Sequence, residues 1–255
     1  MLRRCLLLAA ALAASTACAP LSAQPLVRMT VIDRDSGQWL PEYRHRGERW
    51  IAGSPGHRYG VRLTNTTGGR VLVVLSVDGV NAVTGESAAP SQAGYVLDPG
   101  ESAEIDGWRK SLDDVAAFVF TDLPDSYAAR TGRPEDVGVI GIAVFREASP
   151  PIAPADDEPS PLAGAARQAA APAAEAADAM PQRLGTGHGA REWSPVAQTA
   201  FERASDTPAQ LASVRYDDRA HLVAMGVLPR RWPRRDDAHA PRAFPPGFVP
   251  DPPRW

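Results

Sequence analysis

The chain has 255 residues, and its 27 lysine and arginine residues nearly balance 30 aspartate and glutamate residues, for a formal net charge of −3. This small acidic excess gives no electrostatic reason to bind nucleic acid or an anionic membrane surface. The length allows one or two domains. The only two cysteines, Cys5 and Cys18, both stand near the N-terminus.

The first 23 residues have the order of a secretory signal. Arg3 and Arg4 precede an apolar run of about ten residues, and the segment ends with Leu-Ser-Ala at positions 21–23. That run is well short of the ~20 residues that a permanent membrane-spanning helix needs. The sequence therefore predicts a signal peptide over residues 1–23 and a periplasmic or secreted mature protein.

A second cleavage site competes with the one after Ala23. Cys18 follows small residues and could be lipidated, which would anchor the protein in the cell envelope. Ser15 stands where such sites usually have leucine, and this favours soluble release after Ala23. That release would remove both cysteines and exclude disulfides and thiolate metal sites. Membrane contact is expected only if Cys18 carries lipid.

Proline and alanine mark the domain boundaries. Residues 149–182 are rich in both and contain no aromatic residue, so they are predicted to be a disordered linker. Residues 230–255 are predicted to be an extended proline-rich tail, because frequent prolines interrupt both helices and ladders. Two folded parts remain, a domain over residues 24–148 and a smaller segment over residues 183–229.

The first folded part has the patterns of β-strands. Residues 27–33 and 57–65 alternate apolar and polar side chains, as a strand with one buried face does. Residues 70–78, 115–121 and 137–145 are almost continuously apolar, which suits central strands covered on both faces. With turn residues between the runs, the pattern predicts a mainly β fold, an antiparallel β-sandwich.

The segment over residues 183–229 predicts a small ββα unit. Residues 196–201 and 211–216 have strand patterns, and residues 217–225 have helical spacing that stops at Gly226. A unit of this size has a marginal core. It is therefore expected to dock on the sandwich or on a second copy of the chain.

Residues 185–189, Gly-Thr-Gly-His-Gly, are the most suggestive short motif. Alternating glycines could present backbone amides to an anion, and His188 could act as an acid, a base or a ligand. The motif lacks the spacing of a phosphate-binding loop, and a structural turn is favoured. His188 and Glu192 are expected to be a solvated pair and not a metal site, and no cofactor is predicted.

Two further stretches, residues 77–110 and 123–132, combine polar, glycine and aromatic residues between strands. They indicate either a polar cluster that holds loops in place or a site for a small ligand or peptide. In the first case, Arg109 or Lys110 would meet an aspartate, with Asp78, Asp106 and Asp125 as the choices. The candidate binding residues are Asn81, Trp108, Arg109, Lys110, Tyr127, Arg130 and His188.

Four segments give the chain a likeness to a known group. Residues 78–81, 107–110, 127–130 and 185–189 resemble segments of exported bacterial proteins of unknown function. The resemblance spans most of both folded parts and skips the linker. It implies a cell-envelope setting and supplies neither an activity nor a functional residue.

These observations predict an exported, non-catalytic binding or interaction module of the cell envelope. Its partner would be an envelope protein or a small ligand, held at the end of the sandwich that carries Trp108. One alternative is a periplasmic hydrolase that uses His188 with a carboxylate. Another is a structural envelope protein tethered through its proline-rich segments.

Overall fold

The residues that the structure describes form two seven-stranded sheets in a sandwich-like arrangement. The computed structural model describes residues 24–148 and 183–229. The predicted signal peptide, linker and tail lie outside the described residues. Most strand pairs are antiparallel, and the described helices are few and short. The prediction of a mainly β, two-layered fold is confirmed.

The described elements are as follows. The strands are β1 (Val27–Asp33), β2 (Gln38–Trp39), β3 (Tyr43–His45), β4 (Glu48–Gly53), β5 (Arg58–Asn65), β6 (Val71–Val77), β7 (Val80–Asn81), β8 (Tyr95–Leu97), β9 (Ser102–Ile105), β10 (Gly107–Arg109), β11 (Asp114–Asp122), β12 (Val139–Arg146), β13 (Leu184–Trp193) and β14 (Gln210–Asp218). The helices are α1 (Tyr127–Arg130) and α2 (Arg219–Ala224), and two 3₁₀ turns cover Leu123–Asp125 and Pro134–Asp136.

Each sheet has a simple strand order. Sheet A runs β10-β11-β5-β1-β2, with β9 also paired to β5 and β13 also paired to β11. Sheet B runs β3-β4-β14-β12-β6-β7, with β8 also paired to β6. Strands β4 and β14 run parallel, so the arrangement is mixed at this one described pair.

The core lies between the two sheets and follows the alternation in the sequence. In β1, Val27, Met29 and Val31 are buried while Arg28 is exposed. Aromatic rings fill the centre, where Tyr59 stacks on Phe120 with 4.2 Å between ring centroids. This inward set of side chains is the main apolar contact between the layers.

The outer face of sheet B is also covered, as its continuous apolar runs predict. Leu72, Val74 and Phe145 form a second buried cluster on that face, with Phe201 packed against it. Helix α2 covers Trp50 in a third cluster. The expectation that β6 and β12 have apolar groups on both faces is confirmed.

Both described parts of the chain contribute to both sheets. Strand β13 joins sheet A beside β11, and β14 lies between β4 and β12 in sheet B. The strand expected over residues 211–216 and the following helix are confirmed, and Gly226 adopts a φ of 77° just after α2. The boundaries at 148 and 183 remain predictions.

Two local expectations are wrong. Residues 185–189, predicted to form a turn, lie within β13, because residues 185–188 stand in antiparallel register opposite residues 118–121 of β11. Residues 196–201 form no strand. They leave the sheet after Val196, whose amide donates to the carbonyl of Leu112 at 2.9 Å.

Candidate functional site

Strand β13 changes character halfway along its length. Leu184 to Gly187 are buried, whereas His188, Arg191 and Trp193 are exposed. Among the described strands β13 pairs only with β11, so its other side has no neighbouring strand. Residues 188–193, here called the β13 edge, are an open sheet edge of about 20 Å.

The ladder with β11 shows which backbone groups of β13 point outward. Phe118 donates its amide to the carbonyl of Asp106 at 2.8 Å, so its backbone groups face away from β13. His188 lies opposite Phe118. In an antiparallel ladder the residue opposite such a position also turns its backbone outward. The amide and carbonyl of His188 therefore point to the open side.

A bulge shifts this pattern by one residue. Ala117 of β11 stands opposite both Gly189 and Ala190, and after this point Arg191 and Trp193 present their backbone groups outward. Gly189 is needed at the bulge because a Cβ there would lie 2.7 Å from the carbonyl oxygen of Ala117. The motif glycine thus serves a close backbone approach, and a classical anion loop is not formed.

An exposed apolar patch continues from this edge. Leu112, Trp193 and Val196 are 49%, 76% and 37% exposed, and together they are three of the five large apolar side chains that are exposed among the described residues. Their backbones run side by side, because Ser194 donates to Asp113 at 2.6 Å and Val196 donates to Leu112. Such a concentration of exposed apolar groups marks an interaction surface more often than chance placement.

An aromatic row links the β13 edge to the core. Trp108 is 3% exposed and meets Phe118 edge-on at 4.9 Å. Tyr127 of α1 lies between Trp108, at 5.2 Å, and His188, at 5.8 Å between ring centroids. The structure thus brings together three residues that the sequence named in three separate segments. Trp108 is a buried support, while His188 is at the surface.

Arg109 and Lys110 do not meet the aspartates expected for them. The Arg109 guanidinium donates to the carbonyl of Ser194 and, at 3.0 Å, to its hydroxyl. Arg109 therefore fixes the chain that follows β13. Lys110 is exposed, as is Arg130 at the end of α1.

Asn81 supports a loop. It is fully buried, its amide group donates to Gln92 at 3.0 Å and to the Ala93 carbonyl at 3.1 Å, and its oxygen accepts from the amide of Val83. All its described hydrogen bonds lie within one connection between strands. This geometry matches the loop-holding role that was one of the two expectations.

His188 and Glu192 do not form a described pair. Glu192 accepts from Arg34 at 2.7 Å and from Arg58 at 3.3 Å on the surface of sheet A. The described contact of the His188 ring is with Tyr127. Within residues 24–148 and 183–229, no three histidine, cysteine or acidic side chains converge as metal ligands would.

The structure also contains a buried hydrogen-bond network of four side chains, which the sequence patterns did not predict. Tyr216 donates to both carboxylate oxygens of Asp78, at 2.7 and 2.8 Å. Its single hydroxyl proton is then used, so Thr186 donates to Tyr216 at 2.6 Å and in turn accepts from Tyr59 at 2.6 Å. All four side chains are completely buried.

Burial shifts the pKa values of the titratable groups in this buried network. It raises the pKa of the Asp78 carboxyl to about 6, against the lowering effect of the hydrogen bonds from Tyr216, Thr186 and Gly138. Burial, reinforced by the Asp78 charge, raises the pKa of Tyr59 and of Tyr216 well above the ordinary range. The cluster joins β5, β13 and β14 to the turn after β6, which is a structural task.

A second buried polar pair lies under α2. The Nδ1 atom of His221 is 2.6 Å from the Asp217 carboxylate, and both side chains are almost fully buried. Asp218 caps the same helix by accepting from the His221 amide at 2.9 Å. Asp217 is therefore buried against His221, whereas Asp218 is the N-cap of α2.

A groove on sheet B lies away from all of these residues. It has a volume of about 390 Å³ and crosses the outer face of sheet B, over small residues that include Ser76, Gly141 and Ser213. None of the seven candidate residues lines it. It contains no cluster of charged or catalytic side chains, so the β13 edge is the better candidate site.

No helix in the described parts of the chain is long and apolar enough to span a membrane. Comparisons with protein-family models, curated proteins and solved structures find no match. The resemblance to exported bacterial proteins therefore stays a prediction.

Proposed function

We propose that this protein is an exported, non-catalytic binding module of the cell envelope, and that it contacts its partner through the β13 edge and the adjoining apolar patch. The observation that carries this proposal is the concentration of exposed apolar groups at Leu112, Trp193 and Val196 beside an unpaired strand. A soluble domain has no stability reason to expose them together.

The setting of the protein is part of the same proposal. The signal-like segment over residues 1–23 favours a periplasmic or secreted protein, and lipidation at Cys18 is the alternative. The partner is an envelope protein or a small ligand. The finer division into a sandwich, a linker at 149–182 and a tail at 230–255 belongs to this proposal too.

The candidate residues then have two kinds of role. Trp108 supports the surface through the aromatic row and Arg109 through its bonds to Ser194. Asn81 holds the loop whose Ala82 carbonyl accepts from the Arg109 amide at 2.8 Å. Lys110, Arg130 and His188 are exposed and available to a partner, and the half-buried Tyr127 lies between His188 and Trp108. The hydrolase alternative is not favoured, because the described contact of His188 is with a ring.

Site-specific photocrosslinking in the producing cells tests the proposal. A benzoylphenylalanine placed at Trp193 is expected to give one defined adduct, which Leu112→Glu removes. The matched control is the same probe at Trp39, which is 47% exposed on the short strand β2 of the same sheet. Equal labelling from both positions, or no adduct from position 193, would contradict the proposed surface.

A further inference from the structure

We infer that the β13 edge binds an extended peptide as an added β-strand, and that this peptide carries an apolar and an acidic side chain two residues apart. This inference rests on the proposed function and names the chemistry of the partner. It begins from the backbone of His188, Arg191 and Trp193, whose outward groups have no hydrogen-bonded partner among the described residues. An exposed row of this kind is a template for another strand.

The buried half of β13 shows how the open half differs. At Thr186 the outward amide is satisfied by the Asp78 carboxylate at 2.8 Å. Leu123 also donates to Arg183 just before the strand, so this end is closed by the chain itself. The β13 edge has no such closure in the described structure, and it is the part next to the apolar patch.

The side chains along the edge determine the partner's chemistry. Arg191 and Trp193 are two residues apart in a strand and therefore share a face. A strand added beside them places side chains at the same two-residue spacing. The residue beside Trp193 meets the apolar patch, which favours an apolar side chain.

Charge determines the other position. Arg191 is 66% exposed and reaches Asp114 only at 3.5 Å, so most of its guanidinium is available. The exposed part of the Arg191 guanidinium is thus available to a partner residue beside it, and a carboxylate complements its charge.

The aromatic row completes the site. Tyr127 contacts His188 from the side of α1, which holds the beginning of the open edge in place through a ring that is itself braced on Trp108. The bulge at Gly189 bends the strand immediately after this point. Bulges of this kind re-aim an edge, and here the re-aimed half carries Arg191 and Trp193.

A defined peptide tests the inference on the mature protein. The probe is the acetylated heptapeptide Ser-Thr-Ile-Thr-Glu-Thr-Ser, followed by shifts of the backbone amide signals in NMR spectra. We expect saturable shifts and slowed amide exchange at His188, Arg191 and Trp193. Replacing the glutamate of the peptide by lysine is expected to weaken binding about ten-fold. Arg191→Glu should restore binding of the lysine peptide, and Arg28→Glu, on the exposed side of β1, should not.

Two N-methylated peptides distinguish strand addition from simple surface contact. One carries N-methyl groups at the amides of its even positions, and the other at the amides of its odd positions. Only one set faces β13 in an added strand, so one methylated peptide should lose binding and the other should keep it. Loss in both, or in neither, overturns the inference while leaving the proposed binding surface intact.

The remaining outcomes also decide the matter. No shift at millimolar peptide overturns the inference, whatever the crosslinking experiment gives. Shifts of the edge amides that depend on protein concentration alone would assign the edge to a second copy of the chain. Protection of these amides in the dilute, peptide-free protein would mean that the chain covers its own edge.

Discussion

The hydroxyl of Tyr216 donates to both carboxylate oxygens of Asp78, across 138 positions of the sequence. This contact joins the central strand β14 to the turn after β6. Asp78 also accepts from the amides of Thr186 and Gly138, at 2.8 and 2.9 Å. One buried carboxylate therefore collects hydrogen bonds from the segments before and after residues 149–182, and it holds β13 in the position that leaves its far half open.

The raised pKa of Asp78 predicts a pH-dependent stability. Its folded-state pKa of about 6 exceeds the ordinary value of 3.8, so this group's contribution is fully present below about pH 4 and is lost as the pH rises through about 6. The difference corresponds to about 3 kcal/mol. Urea unfolding measures the free energy of unfolding of the wild type and of Asp78→Asn. The difference between the two should change in favour of the wild type as the pH falls from 7.5 to 4.

The variant is required as a reference because other groups act in the opposite direction. Hydrogen bonds to the carboxylates lower the pKa of Asp35 and, despite some burial, of Asp33, and these contributions are lost in acid. They cancel in the comparison with Asp78→Asn. If the difference in the free energy of unfolding stays constant or shifts against the wild type on acidification, the pKa of Asp78 is not raised in the folded protein.

Thr186→Val tests the middle of the buried hydrogen-bond network. Valine keeps the shape of the side chain but removes the hydroxyl between Tyr59 and Tyr216, so the Tyr59 hydroxyl loses its acceptor in the core. We expect a loss of about 1–3 kcal/mol in the free energy of unfolding. The control is Thr64→Val, whose hydroxyl bonds Ser102 at the surface, with an expected change within about 0.5 kcal/mol. Equal effects of the two substitutions would show that the buried hydrogen-bond network contributes little to stability.

Gly185→Ala tests why the motif contains glycine. An added Cβ would lie 2.6 Å from the side chains of both Ser126 and Val137, so the strand or its cover must move. The expected destabilisation is about 1–3 kcal/mol. Gly141→Ala is the matched control on β12, where the nearest atom is 3.8 Å away. Thermal unfolding that leaves both variants unchanged would remove the packing explanation.

Two tryptophans on the same side of the molecule should behave differently. Trp108→Ala removes a buried ring from the core, at an expected cost of about 3–5 kcal/mol. Trp193→Ala removes a ring that is 76% exposed and should leave the stability within about 0.5 kcal/mol while it weakens partner binding. Chemical denaturation measures the first effect and the crosslinking yield with a probe at Val196 the second. A folded, fully stable Trp108→Ala would contradict the supporting role of this residue.

Much of the fold follows from patterns that the sequence displays. The alternation over residues 27–33 predicts β1 with the bounds that the structure has, and the apolar run over residues 115–121 predicts β11 within one residue at either end. These patterns work because a strand has a period of two and a defined buried face. Gly226 likewise marks the end of α2, since its φ of 77° suits glycine.

The pairing of distant strands could not be predicted in the same way. Nothing local in residues 185–189 indicates an edge strand, because glycines that permit close packing in a strand also suit a turn. The sequence could not place β14 between β4 and β12 either, since this position depends on contacts formed after a long connection. Hydrophobic patterns specify faces but not neighbours.

The sequence patterns do not indicate the buried hydrogen-bond network for a related reason. Tyr59 and Tyr216 occupy apolar positions of their strands, so the pattern counts them as core and says nothing of their hydroxyls. The pair Asp78-Gly79 has the composition of a surface turn. A positive φ of 51° at Asp78 and complete burial of its carboxylate become visible only in the structure.

Amide hydrogen exchange in the free mature protein is the most direct test of the open β13 edge. Gly187 and Glu192 bond to β11 and should exchange slowly, whereas His188, Arg191 and Trp193 should exchange close to the rate of an unprotected amide. We expect this alternation in the exchange rates, with a shift of one residue at the bulge. Equal protection of all five amides would show that the edge is covered and would contradict the proposed binding surface.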